Sequence, residues 1–263
     1  MNTPGAPIAL ATLPNLRDAG GWSTTDGRRV RRGLLYRSTA LDRLDESDSA
    51  VLARLGIRTV VDLRTAPERE ARPDRVAPGV QVIVADVLAD SQLSAPAQLK
   101  TFFSDPAAAA AFLESGQAEE ALRSAYRESI LLPSARAGYG AFMRAVLDTD
   151  GAVLYHCTTG KDRTGWATAS LLTLLGVEKR DVYAEYLLTN EQLIPALEPL
   201  IRRFEAAGVE RVRLMPVLGV DRTYLDTALE TVREHYGTIE RYLADGLGIG
   251  ETEQQRLRDH LLE

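Results

Sequence analysis

The sequence predicts an α/β fold, a mostly parallel central sheet flanked by helices, on three observations. Two apolar runs, Thr59-Val60-Val61-Asp62-Leu63-Arg64 and Val153-Leu154-Tyr155, are continuous instead of alternating, which is how strands buried on both faces read. The second run turns through small and polar residues into Trp166-Ala167-Thr168-Ala169-Ser170-Leu171-Leu172-Thr173-Leu174-Leu175, apolar enough for a buried helix. At 263 residues the chain suits one large domain, expected over residues 1–263, better than two.

Residues 1–14 hold three prolines among small residues and are expected to lie extended on the surface. Residues 15–21 read as a turn and residues 28–37 as a short hairpin around Gly33. Four arginines cluster there, Arg28, Arg29, Arg31 and Arg32. They are either a solvated strand face or a patch that attracts a polyanionic substrate or a membrane surface. Residues 44–55 make an amphipathic helix, with Asp45, Glu46 and Asp48 at its positive end and Gly56 as its stop. The strand over 59–64 ends in Arg64, and Glu68 follows closely enough to pair with it and brace a site. A strand over 80–86 ends at Asp86. Open α/β sheets place their sites at strand C-terminal ends, which makes Asp86 a candidate proton donor, although capping the next helix explains it equally. Residues 88–132 form an alanine-rich helical insertion with Phe102, Phe103 and Phe112, longer than a sheet connection needs. It reads as a lid or as an extra packing layer. Helices follow over 134–148, 180–188, 191–207, 221–235, 238–245 and 251–262, with a break at Gly208. No repeat or low-complexity linker divides the chain.

The chemistry lies between the strand at 153–155 and the helix at 166–175. A strand, a tight loop and a helix N-terminus aim backbone N–H groups at one point, where an anion fits. At the loop's centre stands Cys157, the single cysteine. A thiol attacks as thiolate, and a helix N-terminus with a ring of N–H donors lowers its pKa. Six residues on, Arg163 supplies a planar, permanently charged fork that matches two phosphoryl oxygens. Thr164 can donate to the sulfur. Gly160 allows a crowded or left-handed turn, and Thr158, Thr159, Gly160 and Lys161 offer the phosphate-binding backbone. His156 is placed to order the loop through its ring nitrogens. The set describes attack on phosphorus, a cysteinyl-phosphate intermediate and hydrolysis by water, with no metal and no cofactor in the scheme. A cysteine, five residues and an arginine is a weak pattern alone; its position on the sole cysteine, between strand and helix, is what gives it weight.

His156-Cys157-Thr158-Thr159-Gly160-Lys161-Asp162-Arg163-Thr164-Gly165 resembles the phosphate loop of the bacterial tyrosine-phosphatase-like proteins, the group that includes a mycobacterial secreted phosphatase and bacterial lipid phosphatases. The resemblance spans nearly the whole chain: Asn15-Leu16-Arg17-Asp18-Ala19-Gly20-Gly21, Leu35-Tyr36-Arg37-Ser38, Val61-Asp62-Leu63-Arg64-Thr65 with Glu68, Tyr186-Leu187-Leu188-Thr189-Asn190-Glu191 and the stretch from Tyr236 to Leu243 are similar to its other blocks. Thr159 departs from the alanine usual there, which narrows the loop mouth. The resemblance implies a cysteine-phosphatase fold and points to Asp162 as the acid that protonates the leaving oxygen. No Trp-Pro-Asp triplet, the acid loop of many cysteine phosphatases, occurs in the chain. Asp86 stays in contention by its strand-end position. Lys161 can meet a second phosphate, as a phosphoinositide would present.

Other features exclude more than they establish. A net charge of −6 argues against general nucleic-acid binding. No apolar run is long enough to span a bilayer. No basic segment precedes an apolar stretch at the N-terminus, so cytoplasmic is the default location, with secretion by a route that leaves no signal peptide still open. One cysteine permits no internal disulfide or redox pair. The expected partners are a phosphorylated protein, a phosphoinositide or a small phosphate ester. The leading expectation is a protein-tyrosine or dual-specificity phosphatase. The alternatives are a phosphatase of a small sugar or nucleoside phosphate and a phosphate-reading module without turnover, for which a nucleophile would be superfluous. Arsenate reduction and sulfur transfer also use a loop cysteine, but arsenate reduction needs resolving thiols this chain lacks.

Overall fold

The structure is a computed structural model that describes residues 3–91, 110, 112, 113 and 115–263. Five strands form the sheet: β1 (Arg17–Asp18), β2 (Leu35–Ser38), β3 (Ile57–Asp62), β4 (Gln81–Val84) and β5 (Ala152–His156). Their order is β1-β2-β5-β3-β4; β1 is antiparallel to β2 and every other pairing is parallel. The mixed α/β architecture expected from the sequence is therefore present. Helix α1 (Glu46–Ala53) connects β2 to β3, and α2 (Ala66–Ala71) connects β3 to β4. Helices α3 (Gln117–Leu131) and α4 (Pro133–Asp148) precede β5, and α5 (Asp162–Leu174) follows it. Then come α6 (Lys179–Leu193), α7 (Glu198–Ala206), α8 (Arg211–Leu218), α9 (Arg222–Tyr236) and α10 (Glu251–Leu261).

The period-two rule for strands sorts the core into two faces. Leu35, Val61, Val153 and Tyr155 point to one side, where Tyr139 and Phe142 of α4 and Trp166 and Leu171 of α5 cover them. Their neighbours Tyr36, Val60, Ala152 and Leu154 point to the other, against Leu13, Leu16, Leu41 and Leu44. A smaller cluster joins Leu113 and Ala118 to Ile201, Phe204 and Leu214 of α7 and α8. In register, Ser38, His156 and Asp62 lie side by side, so β2, β5 and β3 end at one level and the loop after β5 emerges between two neighbours.

Several expectations change. The hairpin is not around Gly33. Ser23 pairs with Arg29 across a turn in which Asp26 accepts from the Thr24 hydroxyl and the Arg28 backbone. The chain beyond it pairs with the C-terminus, Arg29 N–H to Glu263 O at 2.8 Å and Arg31 N–H to Leu261 O at 2.7 Å. The arginine cluster is partly spent on this closure: Arg28 pairs with Asp26, and Arg31 donates to His260 O. Residues 1–14 are not simply a surface strap, because Leu13 is buried beneath the sheet. Strand β4 is four residues long, and as an edge strand it leaves Val82 and Val84 about half exposed. The helix expected over 191–207 is not separate: α6 runs to Leu193 and continues through a 3-10 turn at Ile194–Leu197 into α7, with prolines at helix starts, where their missing N–H costs nothing. Of the insertion at 88–132, α3 is a packing layer that buries Tyr126 and Ile130 in the main core. The lid reading of 92–109, with Phe102 and Phe103, lies outside the described residues.

Beneath β1 and β2 the side chains of Arg17 and Arg37 are fully buried and share the carboxylate of Glu185 on α6, each at 2.7 Å. Burial pushes the Glu185 carboxyl up, but the two guanidiniums and their hydrogen bonds outweigh it and hold it below its ordinary value. Burial and the charge of Arg37 bring Arg17 down to about 10, so it stays charged at neutral pH. Removing the shared anion strands two buried cations: Glu185→Ala is expected to cost about 3–5 kcal/mol in urea unfolding. Because the native carboxyl is depressed, its stabilisation is complete above the unfolded Glu range and declines as pH falls through the native value. A variant as stable as the parent, or with the same loss at every pH, contradicts this reading.

Candidate active site

The loop Cys157–Lys161 rises between the ends of β2 and β3, and its carbonyls are tied outward. Thr158 O accepts from Ala40 N–H at 3.2 Å. Gly160 O accepts from Arg37 Nη2 at 2.7 Å and from Asn15 Nδ2 at 3.0 Å. In a planar trans peptide the N–H points opposite the C=O, so these bonds turn the N–H groups of Thr159 and Lys161 inward. Gly160 must be glycine: its φ is +64°, and a Cβ would lie 2.2 Å from Ser38 O. Helix α5 starts at Asp162 and adds its N-terminal N–H groups to the same concavity.

Cys157 is buried at 2% exposure, at the base of this cup. Burial pushes its thiol up. The Arg163 charge first and then the hydroxyl and N–H of Thr164 overcome that and hold it below the ordinary cysteine value, against the opposing charge of Asp162. The Thr164 hydroxyl is buried with no hydrogen-bond partner of ordinary geometry among the described residues, and its effect falls on the Cys157 thiol, whose pKa it lowers. Arg163 is gripped by Glu68 as a fork, Nη1 to Oε2 at 2.7 Å and Nη2 to Oε1 at 2.8 Å. Glu68 is fixed in turn by the N–H and hydroxyl of Thr65 and by the hydroxyl of Thr158. Burial pushes the Glu68 carboxyl up, but Arg163 and these donors bring it far below its usual value, leaving it an anion. Thr158 and Thr159 are partly exposed at the mouth.

The expected pairing of Arg64 with Glu68 is not formed. Arg64 turns to Asp62 and Asp74, both at 2.7 Å, because these carboxylates are buried beside it. Asp74 also lies 3.1 Å from His156 Nε2, while His156 Nδ1 donates to Cys157 O at 3.0 Å. Burial lowers the His156 pKa, but Asp74 raises it above its ordinary value overall. His156 thus bonds the loop backbone from below. Asp62, Asp74 and His156 are also spaced to surround an ion, but the Arg64 guanidinium already bridges the two carboxylates, so the described residues here fit a cation of the protein's own.

The two candidate acids differ in setting. Asp86 Oδ2 accepts from Ala66 N–H at the start of α2 at 3.1 Å and its Oδ1 from Leu88 N–H at 3.0 Å, and Arg69 lies 3.8 Å away, so both oxygens hold backbone. Asp162 is the first residue of α5, directly after the loop. Its Oδ1 accepts from Tyr126 Oη at 3.0 Å and from Lys161 Nζ at 3.2 Å, and its Oδ2 lies 2.9 Å from the same Nζ. Lys161 is buried and also donates to Gly219 O at 3.0 Å. Gly219–Val220 is held by Asn190, whose side-chain amide pairs with both backbone groups of Val220. Sequence reasoning missed the roles of Arg17, Arg37, Glu185, Tyr126 and Asn190. For Glu185 a signal was present: it falls on the helical face of Val182, Tyr186 and Thr189, all buried, and a charge on an apolar face calls for a buried partner.

Residues 8–263 match the family model described as tyrosine phosphatase family. A Mycobacterium tuberculosis protein named triple specificity protein phosphatase PtpB is 34% identical, across 97% of this chain and all of its own length. A Cupriavidus necator protein bearing a tyrosine-protein phosphatase name is 33% identical, across 97% of this chain and 88% of its own. A Nostoc commune tyrosine-protein phosphatase is 29% identical, across 98% of this chain and 81% of its own.

The thiol electrostatics can be read directly. Alkylation of Cys157 by iodoacetamide is expected to follow a titration with its midpoint below that of an ordinary cysteine, about 8.5. Thr164→Val should move that midpoint upward by removing one donor to the thiolate. A midpoint at the ordinary value in the parent would refute the assignment of Cys157 as an activated thiol.

Proposed function

This chain belongs to the tyrosine phosphatase family, and from that premise we propose that it dephosphorylates tyrosine and other phosphorylated residues of proteins through a cysteinyl-phosphate intermediate. As a member of that family it is a phosphoric monoester hydrolase. The observation that carries the reading is the alignment of Cys157, the inward loop N–H groups and the Glu68-gripped Arg163 fork around one concavity. In the first step the Cys157 thiolate attacks phosphorus, the P–O ester bond breaks, and Asp162 gives its proton to the departing oxygen. In the second, water attacks phosphorus, the S–P bond breaks, and Asp162 takes up the proton of the water. Arg163 and the N–H groups hold the equatorial oxygens throughout, where preorganised donors act most strongly. The family match over residues 8–263 supports reading the whole chain as one catalytic unit.

A second substrate class has a specific observation in its favour: a 34% identical relative is named a triple specificity phosphatase. We include phosphoinositides on that ground, with Lys161 as the residue that meets a second phosphate after giving up Gly219. A small sugar or nucleoside phosphate remains the competing substrate.

Rates on phosphotyrosine, phosphoserine and phosphothreonine peptides, phosphoinositides and small sugar phosphates separate these readings. Peptides should lead, and Cys157→Ser should abolish turnover on all while still binding inorganic phosphate. Sugar phosphates hydrolysed faster than any peptide would displace the protein-phosphatase reading. Arg163→Lys, a point charge in place of a fork, should lose about 100-fold or more in kcat. Lys161→Ala should slow phosphoinositide hydrolysis more than phosphotyrosine hydrolysis; equal losses would remove Lys161 from substrate recognition.

A further inference from the structure

Asp162 is held by more than its own loop. Tyr126 Oη donates to Asp162 Oδ1 at 3.0 Å, and Tyr186 Oη lies 2.6 Å from Tyr126 Oη. A phenol carries one proton. Tyr126 commits its proton to Asp162, so the contact with Tyr186 is closed by the Tyr186 proton. The chain therefore has one direction, from Tyr186 through Tyr126 to Asp162. Burial first, then the charge of Asp162, raises both phenols well above their ordinary range, so each remains a donor at any working pH.

Both rings are fixed by packing. Tyr126 is 2% exposed and its ring lies 5.8 Å from that of Tyr224, whose hydroxyl donates to Pro216 O at 3.2 Å. Tyr186 is fully buried against α5 at Gly165, where a Cβ would come within 3.0 Å of the ring. Two phenylalanines would fill this space equally well. A buried hydroxyl is costly unless it is bonded, and the partner these two reach is the carboxyl group proposed to move the proton.

We propose that Tyr186 and Tyr126 form a directed hydroxyl chain that positions Asp162 for proton transfer, with Tyr126 acting on the carboxyl and Tyr186 acting through Tyr126. With Oδ1 occupied as an acceptor, the transferable proton rides on Oδ2. It passes to the ester oxygen as the P–O bond breaks, and a proton from the attacking water returns to Oδ2 as the S–P bond breaks. Lys161 Nζ lies 2.9 Å from Oδ2 and donates to Oδ1 at 3.2 Å in the resting enzyme, so a proton on Oδ2 leaves Lys161 its bonds to Oδ1 and to Gly219 O. This inference rests on Asp162 being the acid.

The test compares Tyr126→Phe, Tyr186→Phe, the double variant and Asp162→Asn on phosphotyrosine, a poor leaving group, and on p-nitrophenyl phosphate, an activated one. Tyr126→Phe should lower kcat on phosphotyrosine by roughly tenfold, as loss of one hydrogen bond to a charged group would, with little change on p-nitrophenyl phosphate and an unchanged KM. Tyr186→Phe should do the same to a smaller extent. The double variant should match Tyr126→Phe, because Tyr186 has no route to Asp162 except through Tyr126. Equal losses on both substrates, or additive losses in the double variant, overturn the chain. If Asp162→Asn itself shows no dependence on the leaving group, the acid assignment falls and this inference with it. If Asp162→Asn shows that dependence and Tyr126→Phe does not, the inference alone falls. Thermal melts of the phenylalanine variants at the parent temperature keep a folding defect from imitating either result.

Discussion

Peptide N–H groups converge on one point only if the carbonyls on their far sides are bonded elsewhere. Here that requirement is met by Arg37 and Asn15 on the Gly160 carbonyl and by the Ala40 N–H on that of Thr158. Arg37 is itself a buried cation and can sit there because Glu185 reaches it from α6. Arg17 shares that carboxylate, so one positive charge remains uncompensated behind the loop. The arrangement thus sets the loop's shape and adds to its attraction for an anion. Everything in front of the loop depends on this support from β1, β2 and α6.

The electrostatics in front follow a similar logic of shared partners. Burial alone would make Cys157 a poor thiolate. The cation that corrects this, Arg163, would without a counter-charge be mobile and strongly hydrated. Glu68 fixes the guanidinium by two of its donors, and longer bonds from the same nitrogens to Leu63 O at 3.4 Å and to the Thr158 hydroxyl at 3.5 Å hold it beside the loop. The Glu68 carboxylate is in turn fixed by Thr65 and by Thr158 of the loop itself. The guanidinium proposed to hold the phosphoryl oxygens is therefore preorganised by its neighbours, which would leave little reorganisation for the moment of reaction.

What the sequence revealed and what it concealed divide along one line. The β5–loop–α5 unit was legible because its parts are contiguous: the strand, the turn glycine, the thiol, the fork and the helix start lie within one short stretch. Partner choice between distant segments was not. Arg64 and Glu68 are near in sequence, which suggested a pair, yet each has a better partner brought in by tertiary structure, Asp62 and Asp74 for the first and Arg163 for the second. Tyr126 sits in the second half of α3, a helix borne by the insertion, and its hydroxyl gives no periodic signal. The misplaced hairpin has a local cause: Gly33 was read as the turn, whereas Asp26 supplies side-chain acceptors that make residues 24–28 the turn.

The pairing of residues 29–31 with residues 261–263 joins segments more than two hundred positions apart. A bond of such span closes a very large loop, whose entropic toll grows slowly with length but whose search is long. The β1–β2 platform that shapes the loop after β5 is bordered by this seam, so the geometry of that loop depends on a closure between distant segments as well as on its own contiguous strand and helix.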